Sequence, residues 1–278
     1  MTVRIITDST ADISPEVASE LGITVVPVTI KFGEESYREG KDLTPDDFYK
    51  KLEDSPVRPE ILPPTPDDFA GIYSGLAKKA EAILSIHLSA KTSGTYDSAL
   101  LGKWMMKGKC HIEVIDSSFT SVGLTLVVMA AARAASAGES LLSVFDETKK
   151  AIGQTGMLGL FDTTKYLLQN GRINKWTTSL TETLNRKPLY TFKNGELARA
   201  GTVSKQSDGM DRLCGFVESN YTTQDIAIAH SNLPEQADQL KERLSSVCPE
   251  ENIWITQLGA TLGIHSGSGA LFVAHRRG

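Results

Sequence analysis

Apolar and polar positions alternate along the first half of the chain in two rhythms. Short β-branched runs read as strands: Val3-Arg4-Ile5-Ile6-Thr7, Ile23 to Ile30, Ala82 to Leu88, and Ile112-Glu113-Val114-Ile115-Asp116. Between them lie stretches of helical spacing, such as Ala99, Leu100 and Met106 after Tyr96. Helix starts are marked chemically. Ser14-Pro15-Glu16, Thr44-Pro45-Asp46-Asp47 and Thr65-Pro66-Asp67-Asp68 each set a capping hydroxyl before a proline, with acids on the positive end of the helix dipole. The apolar run from Val122 to Ala135 contains Thr125 and Arg133 and reads as a buried core helix, too interrupted for a membrane span. Such alternation predicts an α/β fold with a mostly parallel sheet and ligands at the carboxyl ends of its strands, where Asp8, Ser93 and Asp116 fall.

After Gly153 the rhythm changes. Phe161–Gln169 and Thr177–Asn185 predict helices, and Lys187 to Leu197 a hairpin turning through Asn194-Gly195 in type I′ geometry. A helix over Asp208–Ser219, a strand over Asp225–His230, a helix over Glu235–Ser245 and a strand over Asn252–Gln257 follow. The expectation is two α/β domains, residues 1–155 and 156–278, each with a mostly parallel sheet flanked by helices.

Two glycine-rich segments carry the candidate chemistry. Lys91-Thr92-Ser93-Gly94-Thr95 joins the buried strand at Ala82 to a helix. Its glycine lets backbone and hydroxyls crowd a ligand, and the helix start offers free N–H groups to a carboxylate or phosphate. Ser93 reads equally as an N-cap. The second segment, Leu262 to Leu271, contains His265-Ser266-Gly267-Ser268-Gly269, follows an apolar run and is expected to open into a helix as another nest of N–H groups with a histidine at its lip.

Bulk properties narrow the function classes. With 29 Lys and Arg against 34 Asp and Glu, the net charge is −5, which argues against nucleic acid as a main partner. Cys110, Cys214 and Cys248 are odd in number and widely spaced, as expected of reduced thiols in the cytoplasm, and the N-terminus runs straight into a strand without a signal peptide. The five histidines show no paired ligand spacing, so no metal is expected.

Five motifs occur in register: Asp8-Ser9-Thr10-Ala11-Asp12, Ser93 to Ala99, Val114-Ile115-Asp116-Ser117, Asn170-Gly171-Arg172-Ile173 and Gly263 to Ala270. Together they resemble the DegV family of bacterial fatty-acid-binding proteins, from residue 3 to about residue 273. The resemblance implies a two-domain α/β fold holding a long-chain fatty acid such as palmitate non-covalently, carboxylate at the domain interface and acyl chain buried. It also implies a separate fatty acid kinase that receives the acid to make the acyl phosphate, no other cofactor, and no turnover by the carrier itself. Ser93, the Gly94 amide and His265 are expected at the head group, with Thr92, Ser9 and Gly267 beside them and Thr95 capping. Arg172 would attract the anion or a later phosphate, or else form a surface or interdomain ion pair.

Two stretches depart from the family pattern. Relatives have Thr-Ser-Gln-Pro where this chain has Ile61-Leu62-Pro63-Pro64, so a hydroxyl that helps hold the carboxylate is replaced by an isoleucine. Relatives carry a basic Lys-Val-Arg-type stretch after the hairpin, whereas this chain reads Thr202-Val203-Ser204-Lys205-Gln206. Two other readings stand beside the carrier. One is a serine hydrolase built from Ser93, His265 and Asp116 or Asp8, which lacks a Gly-x-Ser-x-Gly elbow. The other is a binder of a small polar or phosphorylated ligand. An apolar tunnel favours the lipid, a small polar cavity the alternative.

Overall fold

A computed structural model describes residues 2–108, 110–173, 186–220 and 222–278. The expected helix over Thr177–Asn185 lies outside these. Elements are numbered below in chain order through the described residues.

Strands β1 (Val3–Asp8), β2 (Ile23–Val26), β6 (Ala82–His87) and β7 (His111–Asp116) form a sheet in the order β2-β1-β6-β7, parallel throughout. Helix α1 (Pro15–Glu20) returns the chain from β1 to β2 on one side, while β6 lies on the other. Connections therefore leave in opposite directions between β1 and β6, and the carboxyl ends of these two strands frame a crevice. Strand β6 is buried along its whole length, which is why it reads as a mostly apolar run interrupted only by Ser85 and His87.

The predicted strand over Ile23–Ile30 is two strands. Pro27 lacks the N–H a continuous ladder needs, and the chain leaves the first sheet there. It continues as β3 (Thr29–Phe32), which pairs antiparallel with β4 (Glu35–Arg38) and β5 (Glu60–Leu62) in a small separate sheet. The duplicated Thr-Pro-Asp-Asp starts behave as read. In α2 (Pro45–Asp54) the Thr44 hydroxyl accepts from the Asp47 N–H, and in α3 (Pro66–Leu76) Thr65 and Asp68 complete a reciprocal capping box.

The second large sheet runs β10-β9-β8-β13-β11-β12. Its strands are β8 (Thr155–Leu160), β9 (Lys187–Lys193), β10 (Glu196–Val203), β11 (Thr223–His230), β12 (Ile253–Gln257) and β13 (Leu271–Arg277). Only β11 and β12, joined through helix α9 (Pro234–Leu244), pair in parallel; the other neighbours are antiparallel. The sheet is thus mixed, where a mostly parallel one was expected. A parallel pair needs a right-handed crossover, and α9 alone supplies one between adjacent strands here, while β9 and β10 are joined by a two-residue turn. Asn194 and Gly195, at φ 52° and 80°, form that predicted turn. Helix α8 (Gln206–Glu218) matches its expectation closely, but the stretch expected as a helix from Phe161 is helical only in α7 (Lys165–Gln169).

Helix α5 (Ser121–Ser136) is the predicted core helix. It packs on β1 of the first sheet and on β8, β11 and β13 of the second, so one continuous apolar core joins the two halves. Helix α4 (Thr95–Met105), with α3, covers the opposite face of the first sheet. Among the described residues no helix is long and apolar enough to cross a membrane.

Candidate functional site

At the end of β6 the chain turns sharply. Thr92 and Ser93 donate their backbone N–H groups to Ser89 O at 3.0 and 3.2 Å, and the Thr92 hydroxyl donates to the same oxygen at 2.9 Å. Ser93 Oγ accepts from the Thr95 N–H at 3.3 Å and lies 3.0 Å from Thr95 Oγ1, just ahead of the Gly94 N-cap of α4. Ser93 is therefore not the N-cap expected of it: Gly94 takes that position without a side-chain capping bond, Thr95 is the first helical residue, and Ser93, one residue ahead, lines a cleft. The loop is tied to the second half by Ser89 Oγ, which donates to Gly195 O at 2.6 Å. A Cβ at Gly195 would stand 2.7 Å from that oxygen, so the hairpin glycine serves both turn and docking.

The second glycine-rich segment differs from its expectation. Helix α10 (Ala260–Ser266) precedes the glycines, and Gly267, at φ 67°, closes it before β13. The Gly-Ser-Gly run is thus a helix stop rather than a nest opening a helix, because left-handed backbone at its C-terminus favours glycine. Gly267 also packs against the Tyr166 ring, where a Cβ would collide.

Two buried carboxylates hold the opposite end of α10. Asp12 Oδ1 accepts from the Gly259 N–H at 2.9 Å, and Glu39 accepts from the Thr261 N–H and hydroxyl at 2.6 and 2.8 Å. Burial, then the charge of Glu39, pushes the Asp12 carboxyl up to about 8, and burial raises Glu39 as well. Ser9 donates to Glu39 at 2.6 Å and accepts from the Val28 N–H, so its hydroxyl is consumed in this bracket and does not line the cleft.

His265, in the last turn of α10, meets Arg172. The guanidinium Nε and Nη2 lie 3.3 Å from His265 Nε2, and Nη1 donates to Thr92 O at 2.9 Å. Arg172 is positioned by Asn170, whose side-chain amide donates to Ile264 O at 3.0 Å and docks α7 on α10. Burial, reinforced by the Arg172 charge, pushes His265 down to about 3, so its ring is neutral. Because Nε2 accepts from arginine, the proton is assigned to Nδ1, which is buried and without a partner among the described residues.

These groups line a narrow cleft of about 80 Å³ between the strand ends of the parallel sheet, β5 of the small sheet, and β9, β10 and β13 of the second large sheet. Val28, Ile61, Leu88, Phe161, Phe192 and Phe272 make most of it apolar, with Leu167, Leu197 and Leu262 between them. Of the residues named from the sequence, Thr92, Ser93, Arg172, His265 and Ile61 line it. Gly94 and Thr95 stand behind Ser93, Leu62 points outward at 44% exposure, and Ser9 and Gly267 serve the supports already described. Reading the sequence missed Thr10, Thr120, Thr261 and the phenylalanines, which long sequence separations hide. The parts of a hydrolase are not joined. Asp116 accepts from the Ser118 N–H at 2.7 Å, Asp8 is engaged by His87, Thr10 and Leu88, and no described bond links Ser93 to His265.

An α/β protein with an apolar cleft at the switch point of a parallel sheet, closed by a serine loop and a neutral histidine, is the class that fold and site define. The family model that matches residues 2–276 is that of DegV, and the chain belongs to this family. The DegV domain-containing protein BH3627 of Halalkalibacterium halodurans is 31% identical over 275 residues, covering 97% of this chain and 96% of the relative. Among solved structures, a DegV family protein from Thermus thermophilus, described in terms of fatty acid binding, matches at a TM-score of 0.90 and 27% identity over 99% of this chain and all of its own. DegV from Bacillus subtilis, described as a fatty acid binding protein, shares the fold over the full length of both chains at a TM-score of 0.89 and 24% identity.

Proposed function

We propose that this protein binds a long-chain fatty acid non-covalently, with the carboxylate against Ser93, the start of α4 and His265, and the acyl chain along the apolar cleft. The observation that carries the reading is the pairing of that cleft with the buried, partnerless Nδ1–H of His265. A buried donor without a partner is costly, and a carboxylate oxygen is the acceptor that would relieve it. The fatty acid binding described for the Thermus relative supports the same assignment.

Magnitudes divide the labour. Each buried CH₂ contributes about 0.8 kcal/mol, so a long chain supplies on the order of ten kcal/mol before ordering costs. The polar end supplies less affinity; it offsets carboxylate desolvation and fixes orientation. Arg172 reinforces the neutrality that burial imposes on His265 and fixes its tautomer, which makes it a positioning residue. On this reading the protein is a carrier without turnover of its own, and a separate kinase of the type the family resemblance implies would take the bound acid to an acyl phosphate.

Mass spectrometry of the purified protein, native and then denatured, tests the proposal. A non-covalent adduct at the mass of a fatty acid, lost on denaturation, is the expected result. A bare protein that also ignores added fatty acids overturns it, and a covalent acyl adduct on Ser93 would move the assignment to a hydrolase.

A further inference from the structure

Thr120 is the N-cap residue of α5, yet its hydroxyl makes no capping bond to that helix. Threonine at such a position ordinarily accepts from the first turn. Here Oγ1 is buried without a hydrogen-bond partner among the described residues, in a residue only 5% exposed that lines the apolar cleft. The backbone around it is held in an unusual shape. Ser118 and Ser121 both adopt left-handed conformations, at φ 60° and 47°, which disfavour non-glycine residues. Ser118 is pinned by Asp116, Ser121 donates to Asp12 at 2.6 Å, and Phe119 O accepts from the Ser89 N–H at 2.8 Å. Strain fixed from several sides around one unsatisfied hydroxyl is the pattern of a ligand contact.

The other threonine and serine hydroxyls of the cleft wall are engaged. Thr10 donates to Asp8, Thr92 to Ser89 O, Thr261 to Glu39 and Ser266 to Gly267 O, while Ser93 pairs with Thr95. Thr120 reaches the cleft from a different helix start than Ser93. Ser93 leads into α4 on one face of the parallel sheet, whereas Thr120 opens α5, whose Val122, Leu124 and Leu126 share an apolar cluster with Leu88, Phe161 and Phe272 on the other. A lone hydroxyl in such surroundings cannot compensate a buried charge, but it satisfies a neutral polar group and is satisfied by it.

Resting on the carrier reading above, we propose that Thr120 is a second polar anchor, and that the preferred ligand is a long-chain fatty acid carrying a hydroxyl along its chain. The head group sets one end of the acid, and Thr120 reads the oxygen beyond it. A site built to bond a ligand hydroxyl discriminates against the analogue that lacks it, because its own polar group is then left unpaired.

Competition binding of octadecanoic acid against a series of monohydroxy-octadecanoic acids, differing in hydroxyl position, tests this in the wild type, Thr120→Val and Thr120→Ser. At least one hydroxy acid should bind the wild type about tenfold more tightly than the plain acid, from the order of one well-made buried hydrogen bond. Thr120→Val should abolish that preference while keeping octadecanoic acid binding, and Thr120→Ser should retain it. No preference in the wild type, or equal weakening of all acids by Thr120→Val, overturns the anchor and leaves the carrier intact. If neither class of acid binds the wild type, the carrier reading falls and the anchor with it.

Discussion

At the scale of single residues, the site depends on which polar atoms remain free. Ser93 shares its hydroxyl with the start of α4, so Ser93→Ala removes a ligand donor and a weak local bond together. We expect fatty acid affinity to fall about three- to tenfold, the worth of one net hydrogen bond, with an unchanged melting profile; unchanged lipid retention would remove Ser93 from the head group. Ile61 tests the converse. It lines the cleft at the position where the family resemblance implies a threonine, and Ile61→Thr should tighten carboxylate binding about fivefold, read by titration with a fixed acid. A flat affinity would show that His265 and Ser93 have taken over that role. Of these residues, Ser93 and His265 were legible because glycines and small hydroxyls cluster beside them. Thr120 was not, since a threonine ahead of an apolar helix reads as an ordinary cap. Its significance lies in a bond that is not made, which no sequence pattern displays.

Among the elements, legibility followed the range of the forces involved. The caps of α2 and α3, the Asn194-Gly195 turn and the buried run of β6 are decided within a few residues, and the structure bears them out. Strand direction in the second sheet depends on which distant segments pair, and β8 contains two glycines, Gly156 and Gly159, that weaken its strand signal. Those glycines admit the rings of Phe216 and Phe272, a requirement set wholly by tertiary packing. The glycine-rich segment after α10 was misread for a related reason: glycine marks a helix start in phosphate-binding loops and a helix stop elsewhere, and only the following β13 distinguishes them. Gly267→Ala provides the test at this scale. It combines left-handed backbone with a collision against Tyr166, and should cost roughly 2–3 kcal/mol, lowering the melting temperature by several degrees. Because Tyr166 lies on α7, which leads to Arg172, the variant should also lose fatty acid affinity. Loss of stability with affinity retained would uncouple α7 from the site.

Across the whole molecule, Asp12 and Glu39 bridge the two halves at the base of the helix that carries His265, and their titration should be visible in the stability of the fold. Both carboxyls are raised by burial, Asp12 to about 8, so the folded state holds protons that the unfolded chain has released above its ordinary carboxylate pKa near 4. That contribution is complete below about pH 4 and is lost as the pH rises through 8. The buried histidines act oppositely. His265, at about 3, and His275, at about 4, stay neutral in the fold, and His230 is lowered in the same direction. Their contribution is complete above about pH 6.5 and is lost as the pH falls. Between pH 4 and 6.5 the two sets oppose one another. From about 6.5 to 8 the histidine contribution is already complete and the carboxylates alone change, so the melting temperature should decline through this window. Asp12→Asn, which cannot titrate, should flatten the decline even where it lowers stability at every pH. A profile for Asp12→Asn that falls as steeply as the wild type would place the titrating group elsewhere. A matched profile on the lipid-bound protein separates the bridge from the ligand: parallel curves mean that the carboxylates hold the scaffold alone, whereas a shallower bound curve means that the acyl chain itself fastens α10 to the first sheet.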